Sequence, residues 1–194
     1  MLDLVILSLG LLIHMWALPY SFKNLFMDSI VRIIQLGYGI TILAALQPAM
    51  LLPNGRGLLA GAGVGVACML FHILWNRGAL LKAEKVDRRF ALSQVVLIFF
   101  HAPSEEMFYR GVFFTVLAVI WGPFTAVLIA TALSTMVVVV SSRRPGLWLE
   151  SAFVGALACL GSYWSQSIWT ALLIRMFNDV GFVTLTEQRN IFES

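Results

Sequence analysis

Apolar residues run along this chain in long blocks, broken only by short polar clusters. A bilayer core takes about 20 apolar residues in helix. The blocks 2–19, 29–51, 58–75, 124–142, 147–164 and 168–184 approach that length and predict membrane-spanning helices. The block 90–121 does not fit so simply. As one straight helix it would run about 48 Å, too long for one crossing and too short for two. Pro103 lies inside it and predicts a break or kink, because proline removes a helical donor and crowds the preceding turn.

The polar clusters orient these blocks. The stretch 76–89 holds Arg77, Lys82, Lys85, Arg88 and Arg89, and the turn near Pro145 holds Arg143 and Arg144. Basic loops stay on the cytoplasmic side. A chain that leaves one inside loop and reaches residue 143 from outside crosses an odd number of times. The block 90–121 therefore reads as one crossing plus a half-helix along the interface. The expected fold is all-α: a polytopic bundle of about seven spans, N-terminus outside and C-terminus cytoplasmic. Lys23, Arg32 and Arg189 then join the seven loop residues inside, and Arg56 lies outside. Trp16, Trp75, Trp121, Trp148, Trp164 and Trp169 all fall at span ends, where amphipathic rings collect.

Composition narrows the classes further. Of 194 residues, 60% are hydrophobic and 12% charged, against about half and a quarter in a soluble domain. Too little polar surface is left to cover a water-facing globule, so residues 1–194 read as a single integral membrane domain. The formal charge of +3 sits in the gaps between apolar blocks and makes no nucleic-acid face. The first block lacks the basic flank of a secretory signal and reads as a retained helix. Cys68 and Cys159 lie inside apolar blocks and read as small core residues. Gly57, Gly61 and Gly65 recur every four residues, a smooth face for close packing against an internal helix or a membrane-protein partner. The run Gly-Ala-Gly-Val-Gly-Val around them has no preceding strand and no Lys-Ser/Thr, so it does not read as a phosphate loop.

Ionisable residues inside spans are costly, and they mark functional candidates by default. In His101-Ala-Pro-Ser-Glu-Glu-Met-Phe-Tyr-Arg-Gly111, Glu106 and Arg110 stand four apart with the acid first, the favoured order for a helical ion pair. Glu105 faces another side and needs another partner. A poorly solvated carboxylate beside a second one is also what a general base acting on water requires. Arg175 and Asp179 repeat the four-residue spacing in the last span. Glu150 and Arg32 lie close enough to span ends to snorkel. His14 and His72 read as isolated, satisfied histidines on apolar helices.

Glu105-Glu106-Met-Phe-Tyr-Arg110-Gly111 resembles the signature of the CPBP family of intramembrane metalloproteases, also called Abi or type II CAAX prenyl endopeptidases. That signature is Glu-Glu-x-x-x-Arg, usually followed by Gly. The run from Ser167-Ile168-Trp169 to Asp179 is similar to the family's closing helix, which ends in His-x-x-x-Asn. The likeness covers 90–184. It implies that glutamates and a histidine of the next helix activate water, while the closing helix stabilises an oxyanion. Glu105, Glu106 and Arg110 match residue by residue. The rest departs: in 124–142 the register puts Ser134 and Val138 where Phe-x-x-x-His is expected, and Arg175 and Asp179 replace His and Asn.

These departures leave no metal-ligand set and call for no cofactor. His101, one turn before Glu105, is the nearby histidine that could assist. If the closing helix packs near the Glu-Glu helix, Arg175 becomes the missing partner of Glu105. The expectation is a degenerate family member whose catalytic cavity has become an ion-pair clamp. Such a chain would contact membrane lipid and a membrane-protein partner; the alternative is an endopeptidase still using Glu105 or Glu106.

Overall fold

In the computed structural model the described residues are 1–21, 25–78, 80, 88–142 and 144–187. They form helices and short connections, without a strand among them. Seven helical rods follow one another: α1 (Leu2–Ala17), α2 (Leu25–Leu46), α3 (Gly55–Trp75), α4 (88–121), α5 (Pro123–Ser141), α6 (Pro145–Ser165) and α7 (Ile168–Glu187). Five of them, α2, α3, α5, α6 and α7, are long and apolar enough to cross a membrane, and α1 is a shorter apolar helix. Lys23, Lys82, Lys85, Arg143 and Arg189, which help to orient the chain by sequence, lie outside the described residues.

Local chemistry sets the rod ends. Asn54 caps α3, its Oδ1 accepting from Gly57 N at 2.6 Å, and Ser167 caps α7 through Trp169 N. Pro123 and Pro145 open α5 and α6, where a missing donor costs nothing. Between α4 and α5 the chain reverses at Gly122, whose φ of 82° suits a residue without a side chain.

Block 90–121 departs from its expected form. It is one uninterrupted helical rod, and Pro103 neither breaks it nor begins a separate half-helix. The rod alternates Arg88–Val96, a π-helical stretch Leu97–His101, Ala102–Glu106, a second π-helical stretch Met107–Phe114, and Thr115–Trp121. The wide turn just before Pro103 gives the ring room, and the proline sits in the first turn of the α-helical stretch that follows. After the motif, Thr115 Oγ1 donates to Arg110 O at 3.1 Å, five residues back, a bond that suits the wide turn. Every residue of Met107–Phe114 is buried. A helix covered on all sides is a central helix, and α1, α2, α5 and α6 pack around this one.

Small residues bring the neighbours close. Gly39 of α2 lies against the Met107 backbone, and Gly10 of α1 against the Phe113 ring. The glycine face of α3 is covered within the chain. An added Cβ at Gly61 would meet Leu173 Cβ at 2.9 Å and Thr170 Cα at 3.0 Å, and one at Gly65 would meet Phe177 Cβ at 2.9 Å. A partner would therefore have to use another surface, because α7 already fills this one. Gly61→Ala should force α3 and α7 apart and cost about 1–3 kcal/mol, as overpacking does. Gly63→Ala faces open space and should be neutral or slightly stabilising. Thermal unfolding of both variants in detergent checks this.

Candidate functional site

The acids and arginines buried or half-buried by this packing fall largely into three groups. The first surrounds Glu105, which α4 points between α2 and α7. Arg32 Nη1 donates to Glu105 Oε1 at 3.0 Å and to Gln35 Oε1 at 2.9 Å, and Arg32 Nη2 meets Asp28 Oδ1 at 3.3 Å. From the other side, Arg175 Nη2 lies 3.5 Å from Glu105 Oε2. Arg175 also donates through Nε to Asp179 Oδ2 at 3.2 Å. Both oxygens of Glu105 thus face a guanidinium. His101 lies 3.6 Å from Asp28 and 3.8 Å from Glu105, wholly buried.

The second group lies one residue further on. Glu106 Oε2 stands 3.2 Å from Arg110 Nε, both side chains almost fully buried. Neither atom has a hydrogen bond, so the attraction is Coulombic. Arg110 Nη2 donates to Ser134 Oγ of α5 at 3.3 Å, and Ser134 in turn donates to Thr131 O. Arg110 has room because Gly155 of α6 is bare: a Cβ there would stand 2.5 Å from Nη2. The third group joins α3, α6 and α7. His72 Nε2 lies 2.9 Å from Asn178 Oδ1, and Asn178 Nδ2 donates to Glu150 Oε1 at 2.9 Å.

This packing corrects several expectations. Arg32 does not snorkel; it is fully buried and forms the hub of the first group. The sequence does carry its signal, as Asp28 and Arg32 repeat the four-residue acid–base spacing, but nearness to a span end masks it. Glu150, expected to snorkel, is held by Asn178 across to α7. His72 is not isolated, since it shares Asn178 with Glu150. His14 does sit as a satisfied core histidine, with Nδ1 at 3.0 Å from Tyr109 Oη. Cys159 is buried and Cys68 half-buried, both free. Asn178 is a functional candidate that the sequence reading misses, because an uncharged amide beside Asp179 gives no charge signal of its own.

Residues 87–181 match the family model described as Type II CAAX prenyl endopeptidase Rce1-like. This segment, 95 of the 194 residues, belongs to that family. No curated protein and no solved structure matches it. The matched segment contains the whole of α5 and α6 and every member of the three polar groups except Asp28, Arg32, Gln35 and His72. Across it, the Glu-Glu-x-x-x-Arg positions of the Rce1-like chain are Glu105, Glu106 and Arg110.

A metal does not fit the residues around these glutamates. The space where a cation would meet Glu105 is taken by two guanidinium groups, and a third stands against Glu106. Among the described residues, no three of His, Cys, Asp and Glu come together as a metal-holding group.

Arg32→Met should leave Asp28 and Glu105 buried without their shared cation, a loss of about 3–5 kcal/mol. Arg175→Met should cost less, since Arg175 is partly exposed and Arg32 still holds Glu105. The double exchange Glu105→Arg with Arg175→Glu should fail to restore stability, because the new arginine faces Arg32. Chemical or thermal unfolding in one detergent, with the variants side by side, checks the order.

Proposed function

We propose that this Rce1-like chain is a catalytically degenerate member of its family and acts by binding, as a scaffold, assembly factor or accessory subunit of a membrane protein complex. The observation that carries this is the double grip on Glu105: Oε1 on Arg32 at 3.0 Å and Oε2 on Arg175 at 3.5 Å. A general base needs a lone pair turned toward the proton it removes. Here the strongest acceptor directions end on two cations that never deprotonate. The partner histidine is also lacking, since Val138 cannot take a proton. Asp179, ionised beside the site, would oppose rather than stabilise an oxyanion. In this reading the N-terminus faces outside and the C-terminus the cytoplasm, supported by the basic residues between the spans.

One observation favours a second reading, an endopeptidase working through Glu106. Its Oε2 has no hydrogen bond despite almost complete burial, so a lone pair there is not committed. Against it, the Arg110 guanidinium stands 3.2 Å from that same oxygen and competes with any water for the lone pair.

The two readings separate on a prenylated Cys-a-a-X peptide incubated with the purified chain in lipid, followed by mass spectrometry. The expected result is no cleavage beyond that seen with Glu105→Gln and Glu106→Gln. Turnover that Glu106→Gln abolishes, with folding unchanged, would overturn the degenerate reading.

A further inference from the structure

Each described buried acid has an arginine partner, and the partly exposed Glu150 differs from them. Asp28 and Glu105 pair with Arg32, Glu106 with Arg110, Asp179 with Arg175. Glu150 has no arginine or lysine at ion-pair distance among the described residues; its nearest basic group is His72 Nε2, at 3.5 Å. Its carboxylate is nevertheless held in place. Since an amide oxygen only accepts, His72 Nε2–H donates to Asn178 Oδ1, and Asn178 Nδ2–H donates to Glu150 Oε1. Both donors point the same way along the relay, which ends on the carboxylate. The other oxygen, Oε2, takes no hydrogen bond from the described residues, and the Glu150 side chain is 21% exposed. An oriented, partly exposed carboxylate with no arginine or lysine at ion-pair distance among the described residues can accept a cationic hydrogen-bond donor from outside the bundle.

Its setting limits what that donor is. Glu150 lies in the second turn of α6, a helix long and apolar enough to span a membrane. Trp148, half a turn earlier, turns its indole N–H to Ser142 O at 2.8 Å, the posture of a ring at headgroup level. At the same helix end Arg144, with its side chain 67% exposed, offers a guanidinium to the surroundings while its Nη1 holds Glu187. A carboxylate and a guanidinium at one helix end match the two charges of a zwitterionic phospholipid headgroup. Between the common zwitterions, a carboxylate selects the one whose cation carries N–H donors: a primary ammonium has three, a trimethylammonium none.

We infer that Glu150, held by Asn178 and His72, is with Arg144 of the same helix end a headgroup site for an ethanolamine phospholipid. The ammonium donates to Glu150 Oε2 and the phosphate faces Arg144. This site uses no residue of the Glu-Glu-x-x-x-Arg motif, so it stands whether or not the chain cleaves peptides.

The test places the purified chain in phosphatidylcholine nanodiscs. These are doped with phosphatidylethanolamine or its N-methyl and N,N-dimethyl derivatives, all with the same acyl chains. Thermal midpoint and lipid retention by native mass spectrometry are read together. Wild type should retain the ethanolamine lipid in preference to the choline lipid by about ten-fold, the loss expected for one charged hydrogen bond, with preference falling stepwise on methylation. Glu150→Gln keeps the shape and the Asn178 contact and should abolish the preference, while Arg56→Gln on α3 should leave it unchanged. Equal retention of all four headgroups by wild type overturns the inference, and that arm needs no variant to fold. So does a preference that survives Glu150→Gln, or one that Arg56→Gln removes equally.

Discussion

A carboxylate buried among apolar helices must be matched by positive charge, and Glu105 is matched twice. Burying an ion costs several kcal/mol even after relaxation, and good geometry with an opposite charge is what offsets it. Arg32 comes from α2 and Arg175 from α7, so this one side chain fixes the rotation of three rods about their axes. Arg32 then recruits Asp28 and Gln35 along its own helix, and Arg175 recruits Asp179. The net effect is a closed set of charges in which each member depends on the others. Buried ion groups of this kind contribute less to stability than to choosing one arrangement over its alternatives. That suits a bundle whose remaining contacts are interchangeable apolar surface.

The π-helical turns of α4 give this arrangement its geometry. An α-helix turns each successive residue by a constant angle, and a wide turn resets that phase. One wide stretch precedes Pro103 and another follows Glu106, so the short Ala102–Glu106 segment between them can be aimed independently of the rod's two ends. Glu105 and Glu106 then face different neighbours, the first toward α2 and α7, the second toward α5 and α6 through Arg110. Wide turns of this kind occur mostly at functional sites. In a chain whose glutamates are held by arginines, they persist as the framework of the clamp.

Much of this was legible in the residues, and the failures have physical causes. Long apolar blocks set the rods to within a few residues, because span length is dictated by the bilayer and not by fine packing. The four-residue acid–base spacings identified Glu106–Arg110 and Arg175–Asp179, since those pairs lie along single helices. Pairings between helices were harder. Arg175 could be placed on Glu105 only through a family likeness, and Arg32 was lost to a snorkelling argument that depends on absolute depth, which sequence spacing does not supply. Of the break or kink expected at Pro103, the break does not occur: that rule assumes the regular i→i−4 ladder, and the π-helical turn before the proline is a local exception to it. The His72–Asn178–Glu150 relay was invisible because its three members lie on three helices and none forms an acid–base pair along its own helix.

Charge balance links the clamp around Glu105 to the open edge of Glu150. Arginine cannot lose its proton in a protein, so the buried Arg32 and Arg110 and the partly exposed Arg175 need carboxylates permanently, and Asp28, Glu105, Glu106 and Asp179 supply them. Outside ligands then compete with an arginine for each of those carboxylates. Among the described residues Glu150 is left outside that balance, and its side chain is 21% exposed. In the degenerate reading proposed above, a family site adapted from chemistry to structure would close in this way. Capacity for external contact then shifts to the groups that the internal pairing leaves over, and in this bundle those lie at the α3, α6 and α7 junction.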